Sequence, residues 1–250
     1  MDKAMIWIFP MAGKGTRTQQ FGSFKPFIEI SGRPMLGWLF ASIGRKIQMQ
    51  DTLAFVTTEE YARAYDVQER IERILRSAGL GQPFSLITCP QTPQGPSRSV
   101  YLARDFLDTE QPVITVNCDQ FIDFDCFAYT SGRQGFLPIY ANFGSQSSYV
   151  EIYDGRIVRI VEKQNISNLA SAGVYGVSSG KALLRALERQ FEQNQMTGQE
   201  FYVGPALNYL IEEGYDFYPT RVRVKYDLGN AEGIRMFEET AMCTLHAGVS

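Results

Sequence analysis

The stretch Met5-Ile6-Trp7-Ile8-Phe9-Pro10-Met11-Ala12-Gly13-Lys14-Gly15-Thr16-Arg17 decides the fold. Its first six residues form a compact apolar run that gives way abruptly to glycines, as a strand buried on both faces does. A glycine-rich loop after such a strand lets the backbone wrap closely, so that several N–H groups can point at one anion. Arg17 adds a fork that grips phosphate oxygens, and Lys25, followed by Pro26, adds a compact charge. Two common loops do not fit. A Walker loop needs G-x-x-x-x-G-K-[ST], yet Gly15 follows Lys14 and position 8 is Ile8. The dinucleotide fingerprint needs a third glycine where Thr18 stands. Gly-x-Gly by itself would read as a tight turn with solvated basic residues. With Thr16, Arg17 and the Lys25-Pro26 pair, the segment reads as a phosphate-binding loop.

Outward from this loop, strand and helix patterns alternate. Pro34 is placed to start a helix, with Leu36, Leu39, Phe40, Ile43 and Ile47 at helical spacing. Strands are expected at 53–57, 84–88 and 113–117. A charged helix is expected over 59–77, with Gly79 where a C-terminal cap belongs, and another over 97–107. This order predicts an α/β fold: a Rossmann-like three-layer αβα arrangement with a mostly parallel, mixed central sheet. Ligands of such sheets bind beyond the carboxyl ends of the strands, where the glycine loop and Asp119 fall. The second half reads as a small β-rich extension, with short strands at 136–142, 148–153, 156–161 and 172–177 and a hairpin signal at Asp154-Gly155. Helices follow at 180–194 and 201–213, then a strand at 217–225, and Asn230 can cap a last helix running toward residue 241. Neither repeats nor a linker interrupt the chain, so a single domain over 1–250 is expected.

Composition narrows the chemistry. Of 250 residues, 44% are apolar and 20% charged, as in ordinary globular proteins. The 24 Lys and Arg against 27 Asp and Glu leave a net charge of −3, so no basic excess points to nucleic acid or anionic lipid. The uncharged stretch 4–13 contains Pro10 and is far too short to span a membrane. Asp2 and the glycine motif also make a poor signal peptide, and a cytoplasmic location is expected. Cys89, Cys118, Cys126 and Cys243 form no C-x-x-C pair and read as reduced, mostly buried thiols. The only histidine is His246, which leaves Ser-His-Asp triads and H-E-x-x-H zinc sites without their base. Catalysis is therefore expected to run on carboxylates, lysines, arginines and a metal held by oxygen.

At this point the chain resembles a known family. Ala12-Gly13-Lys14-Gly15-Thr16-Arg17 with Lys25-Pro26 is similar to the signature of the sugar-nucleotide pyrophosphorylases, nucleotidyltransferases that join a nucleoside triphosphate to a sugar 1-phosphate. Ser31-Gly32-Arg33-Pro34-Met35-Leu36 resembles the segment that follows that signature. Gln91-Thr92-Pro93-Gln94-Gly95 is similar to the family's base-recognising loop, and Asn117-Cys118-Asp119 to its first metal aspartate. The run from Gly155 to Glu162-Lys163 resembles the strand that ends in a sugar-binding pair. Asn168 with Ala172-Gly173-Val174-Tyr175 resembles the segment around the sugar, and Tyr226-Asp227-Leu228-Gly229 the second metal aspartate. Two segments depart from the pattern: Gln164 stands where proline is usual, and Pro96-Ser97-Arg98 where small residues are usual. The compact length and the Pro10-Met11-Ala12 start look most like members found with capsule and surface-polysaccharide genes.

The resemblance implies a nucleotide-binding half over about 1–120, and a half over about 121–250 that binds the acceptor and the second metal position. Arg17 and Lys25 would be the catalytic residues. Met11, Ala12, Gly13, Lys14, Gly15 and Thr16 would hold the phosphates, and Gln91, Gln94 and Gly95 the base. Glu162, Lys163, Asn168 and Gly173 would bind the acceptor. Asp119 and Asp227 would ligate Mg²⁺, which takes one or two carboxylates plus substrate phosphates. The alternative for Asp119 is a loop-capping residue, and by spacing alone Glu162 and Lys163 read as a charged strand end. Phe21, Phe24 and Phe27 are expected to pack around the signature lysine. The expected partners are a nucleoside triphosphate and a small phosphate acceptor, with a homo-oligomer in view because such proteins often self-associate. Two further readings stay open. One is a cytidylyltransferase for a non-sugar phosphate, and the other a non-catalytic nucleotide-binding module that regulates a partner.

Overall fold

Alternation along the first strand sets the layers. Trp7 and Phe9 face one side of the sheet, Ile6 and Ile8 the other, and all four are buried. The computed structural model describes residues 4–13, 15, 20, 22, 24–126 and 133–240. Its elements run β1 (Ile6–Pro10), β2 (Glu29–Ile30), β3 (Arg33–Pro34), α1 (Met35–Ile43), β4 (Thr52–Thr58), α2 (Glu59–Ala64), α3 (Val67–Ser77), β5 (Phe84–Cys89), α4 (Pro96–Tyr101), α5 (Arg104–Leu107), β6 (Val113–Val116) and β7 (Gln120–Phe124). The second half holds β8 (Gly135–Ala141), β9 (Ser148–Tyr153), β10 (Arg156–Glu162), β11 (Leu169–Ser171), β12 (Val174–Val177), α6 (Gly180–Glu192), α7 (Val203–Ala206), α8 (Asn208–Glu212), β13 (Phe217–Asp227) and α9 (Ala231–Glu238).

Eleven strands make one sheet in the order β5-β4-β1-β6-β12-β8-β11-β9-β10-β13-β7. The first four are mutually parallel, as the βαβ reading predicts. β8 and β13 are parallel as well, while the other pairings of the second half are antiparallel. On one face Trp7, Phe9, Leu53 and Phe55 pack against Leu36, Leu39, Phe40 and Ile43 of α1 and Ile71 and Leu75 of α3. On the other, Ile6, Ile8, Ala54 and Val56 meet Val100 of α4 and Leu183 and Leu187 of α6. Each fully buried side chain of this size contributes roughly 1.5–3 kcal/mol. Burying Trp7 also requires a partner for its indole N–H, and Asp51 supplies it. The Asp51 carboxylate accepts from Trp7 Nε1, Met5 N and Gln48 N, each at 2.9 Å.

Several elements differ from expectation. The helix over 59–77 is two helices, broken at Asp66, which adopts the left-handed conformation at φ 47°. Packing explains the break: Tyr61 and Tyr65 lie 4.7 and 5.3 Å from the ring of Phe24, and aspartate tolerates the left-handed turn better than most residues. The helices over 97–107 and 201–213 are likewise each two short pieces. Pro34 precedes α1 rather than opening it, because it pairs with Glu29 in the small β2–β3 hairpin. β7 was not expected, and a short β11 separates from β12 at Gly173. A third apolar cluster joins Trp38 of α1, Phe121 of β7, Leu228 and Phe237 of α9, with Trp38 and Phe237 rings 5.0 Å apart. It anchors the chain on both sides of residues 227–230.

Candidate active site

The carboxyl ends of the parallel strands carry the glycine loop and Asp119. Met11 N donates to Val56 O at 2.7 Å, which carries the β1–β4 pairing one residue into the loop. Met11 and Ala12 are buried, Gly13 is exposed, and Gly15 is left-handed at φ 59°. Lys14, Thr16, Arg17 and Phe21 lie outside the described residues. Lys25 opens a 3-10 turn, Lys25–Phe27, started by Pro26 and closed by Phe27 N to Phe24 O at 3.0 Å. Phe24 and Phe27 are buried beside it, as packing residues.

Lys25 Nζ pairs with Asp119 Oδ2. Asp227 reaches the same place by a long route. β13 runs antiparallel to β7, Asp227 stands opposite Gln120, and Leu228 N donates to Asp119 O at 2.9 Å. Gly229 lies at the centre of the three side chains. A β-carbon placed on it would be 2.6 Å from Asp119 Oδ2, 2.8 Å from Asp227 Oδ1 and 2.9 Å from Lys25 Nζ. Only a residue without a side chain leaves room for them to meet. Gly229 N and Asn230 Nδ2 donate to the Asp227 carboxylate, both at 2.8 Å, and so orient it. Asn230 also caps α9 through Gly233 N at 2.9 Å.

Among the described residues, no group of three or more His, Cys, Asp and Glu side chains gathers to hold a metal. Two carboxylates around a bare glycine fit Mg²⁺ nonetheless, since that ion keeps waters and takes phosphate oxygens for the remaining positions. Cys118, between Asn117 and Asp119, is buried with its thiol pKa pushed well up by desolvation, so it stays a neutral thiol.

The proposed base loop is locked from one side. Gly95 has φ 96°, and a β-carbon there would lie 2.6 Å from Phe201 O and 2.7 Å from Phe201 N. Phe201 N donates to Gln94 O and Ser97 N to Phe201 O, both at 3.0 Å. The side chains of Gln91 and Gln94 are exposed, with Gln94 Nε2 3.3 Å from Met196 Sδ.

Strand register brings the acceptor candidates level with the end of β6. Val116 stands opposite Val174, Ala172 N donates to Pro138 O, Ser171 is opposite Ile139, Ala170 opposite Tyr149, and Ser148 opposite Glu162. Gly173 O accepts from Asn117 N at 2.9 Å, two residues before Asp119. Glu162 and Lys163 then diverge. Glu162 turns inward to accept from Ser148 Oγ, which lies 3.2 Å from the Tyr175 hydroxyl. Burial raises the Glu162 carboxyl above its ordinary value, with the Ser148 hydrogen bond and Lys163 opposing. Burial, with the nearby Glu162 charge, pushes Tyr175 up to about 12, so its hydroxyl keeps its proton. Lys163, left-handed at φ 55°, donates to the Tyr202 hydroxyl, lies 4.6 Å over that ring and sits 3.9 Å from Glu200. Asn168 is exposed before β11, its carbonyl accepting from Asn142 N.

Sequence reading had no signal for Ser148, Glu200 or Tyr202, whose importance comes from contacts 14 to 39 residues away in the chain. A cavity of about 730 Å³ lies elsewhere, on the outer side of α1 among Arg33, Arg45, Lys46, Arg70 and Arg73. It does not include Lys25, Asp119 or Asp227, which converge at the carboxyl ends of the parallel strands instead.

No family model matches the sequence, and no curated protein matches it. Solved structures do. A nucleoside-diphosphate-sugar pyrophosphorylase from Vibrio cholerae RC9 superposes with a TM-score of 0.78 at 20% identity, covering 94% of this chain and 100% of that one. UDP-glucose pyrophosphorylase complexed with UDP-glucose gives 0.71 at 17%, covering 94% and 97%. The inositol-1-phosphate CTP transferase from T. maritima gives 0.72 at 13%, covering 100% and 97%. The central sheet with its parallel and antiparallel strands is thus the Rossmann-like fold shared by these pyrophosphorylases and sugar-phosphate nucleotidyltransferases.

Proposed function

We propose that this chain is a nucleotidyltransferase that moves a nucleoside monophosphate from a nucleoside triphosphate to a sugar 1-phosphate or related phosphate monoester, releasing pyrophosphate. The observation that carries this reading is the convergence of Lys25, Asp119 and Asp227 around the bare Cα of Gly229. Residues from about 1 to 120 form the nucleotide half, in which Met11, Ala12, Gly13, Lys14, Gly15 and Thr16 cradle the phosphates and Gln91, Gln94 and Gly95 meet the base. Residues 121–250 form the acceptor half, with Glu162, Asn168 and Gly173 toward the sugar or polyol and Lys163 toward its phosphate.

An acceptor phosphate oxygen attacks the α-phosphorus in line. The new P–O bond forms as the α–β bridging bond breaks, and the electron pair leaves on pyrophosphate. The attacking oxygen is already an anion at neutral pH, so no side chain must take its proton, and the chain needs no histidine base. The work left to the protein is to bring two anions together and neutralise the leaving group, through Arg17 and Lys25. Mg²⁺, held by Asp119 and Asp227, would supply further charge neutralisation on the phosphates. The motif set further suggests a cytoplasmic, self-associating enzyme whose product feeds surface-polysaccharide synthesis.

The test is pyrophosphate release with Mg²⁺ from the four ribonucleoside triphosphates and dTTP, each against sugar 1-phosphates and other monoesters, including inositol 1-phosphate. The T. maritima CTP transferase of the same fold warrants that last substrate. Release from one nucleotide–acceptor pair is expected. Tight nucleotide binding with no release from any pair would instead point to an acceptor outside the panel or to a regulatory module.

A further inference from the structure

A half-buried lysine stands between the proposed metal aspartates and the acceptor residues. β13 pairs with β8 over residues 217–221, then leaves it for β7, which carries the chain to Asp227. Along that second stretch Lys225 stands opposite Ile122 and Asp227 opposite Gln120, so both side chains leave the same face of the strand. The Lys225 side chain reaches back to β8 and lies 5.0 Å over the Tyr140 ring. Among the described residues no carboxylate pairs with it, whereas the half-buried Lys25, Lys46 and Arg70 pair with Asp119, Asp123 and Glu29. Tyr140 in turn lies among the acceptor candidates. It stands opposite Ala170 on β11, between Asn168, whose carbonyl accepts from Asn142 N at 2.9 Å, and Ala172, whose N–H donates to Pro138 O at 2.8 Å just before Gly173. The neutral groups here are already engaged. Asn142 Oδ1 accepts from Gly144 N at 2.9 Å, which turns Nδ2 toward the Tyr140 hydroxyl at 3.0 Å and Ser147 Oγ at 2.8 Å. Tyr149 donates its hydroxyl to Gly144 O. The Tyr140 oxygen thus accepts, which leaves its proton to donate, and beside it is the Lys225 ammonium, which can only donate.

We infer that Lys225 is a specificity-determining residue, and that the acceptor carries a second anionic group, besides the phosphate that attacks, which Lys225 and Tyr140 receive. Two donors side by side match a group that only accepts, a carboxylate or a phosphate, and hydrogen bonds to such a group are strongest when the donor is charged. A sugar hydroxyl would leave the ammonium without a counter-charge. The faces of the sheet keep this anion away from the acidic side of the pocket. Glu162 turns with Ser148 toward Tyr175, which packs with Ile6 and Ile8 on the α6 side, while Tyr140 packs with Trp7 and Phe9 on the α1 side. Lys163 belongs to the α6 side as well, since its partner Tyr202 is fixed to Gln190 of α6 at 2.9 Å. The two lysines therefore serve different parts of one acceptor, Lys163 its phosphate and Lys225 its second charge. The substrate class is an acidic sugar or polyol phosphate rather than a neutral hexose 1-phosphate. This inference rests on the proposed function, since it needs a phosphate acceptor in this half of the chain.

Matched acceptors test it on the full chain. Pyrophosphate release is measured with Mg²⁺ and each of UTP, CTP, dTTP, ATP and GTP. The acceptors are glucose 1-phosphate and galactose 1-phosphate, the corresponding glucuronic and galacturonic acid 1-phosphates, and glucose 1,6-bisphosphate. In the wild type an acidic acceptor is expected to exceed its neutral counterpart in kcat/KM by about tenfold or more. A uronic acid as the better substrate assigns the second group as a carboxylate, and the bisphosphate as the better one assigns it as a phosphate. Lys225→Met keeps an unbranched side chain over Tyr140 without its charge, and should bring that ratio to within about twofold of one at an unchanged melting temperature. Lys225→Arg should retain most of the preference, and Tyr140→Phe should lose part of it. A wild type that uses acidic and neutral acceptors equally overturns the inference and leaves the proposed function standing. So does a Lys225→Met protein that loses activity with every acceptor alike and keeps the wild-type ratio. Release with no acidic acceptor overturns it too, and release with no acceptor at all counts against the proposed function as well.

Discussion

Replacing Gly229 with alanine tests the assignment of the centre more sharply than removing any one of its charges. The added methyl would sit 2.6 Å from Asp119 Oδ2, 2.8 Å from Asp227 Oδ1 and 2.9 Å from Lys25 Nζ. Ordinary contact begins at 3.4 Å, so the Asp119 oxygen must withdraw by about 0.8 Å and the other two atoms by slightly less. These atoms are the far ends of side chains, and the Gly229 backbone is not in the left-handed region, so the fold can yield at little cost. Removing glycine also stiffens the unfolded chain, which favours folding by about 0.4–1 kcal/mol. Stability should thus change by no more than about 1 kcal/mol, a Tm shift within about 4 °C for a chain of this size. The reacting geometry has no such tolerance. A displacement near 1 Å of groups that position phosphates costs on the order of 10²-fold in rate, about 2.7 kcal/mol of barrier. The assay is steady-state pyrophosphate release with the active nucleotide–acceptor pair, beside a thermal melt. A Gly229→Ala protein that melts like the wild type yet keeps turnover within about threefold would show that Lys25, Asp119 and Asp227 are not the reacting centre.

Lys25→Ala and Asp119→Ala should each lower turnover by on the order of 10²–10³ while circular dichroism stays native; near wild-type turnover in either folded variant refutes its role. Glu162 gives a pH signature. Its folded pKa is raised above the ordinary 4.5 by burial, so between 4.5 and that raised value the folded state binds more protons than the unfolded state, and stability falls as pH rises through this window. Glu162→Gln keeps an acceptor for Ser148, so it should melt at or above the wild-type temperature at pH 8 but not at pH 4; the opposite pattern would mean burial does not raise this carboxyl. Asp51→Ala strands the buried N–H groups of Met5 and Trp7 and should cost about 3 kcal/mol, a melting-point drop of roughly 6–12 °C, with turnover of the surviving folded protein unchanged.

Local chemistry explains which parts could be read from the chain alone. The apolar run ending in glycines announces β1 and its loop because a buried strand and a tight turn are properties of adjacent residues. The parallel order β5-β4-β1-β6 follows from alternating patterns and the handedness of crossovers, and Asp119 falls at a strand end for the same reason. The helix periods at α1 and α6 were equally legible, because helical hydrogen bonds close within four residues. The break at Asp66 was not, since the Tyr61 and Tyr65 rings turn toward Phe24, a residue whose position depends on the folded sheet.

The sequence by itself determined the fold class and supplied the residues proposed to handle phosphate. Only the tertiary structure decided how those residues meet. Asp227 joins Asp119 because β13 pairs with β7 across roughly a hundred residues of chain, and Gly229 leaves the space in which they and Lys25 converge. Glu162 turns into the core while Lys163 turns toward Tyr202, a divergence of neighbours set by strand pairing and by one left-handed residue. Pairing and packing between distant segments depend on the whole sheet, and no local pattern of residue types encodes them.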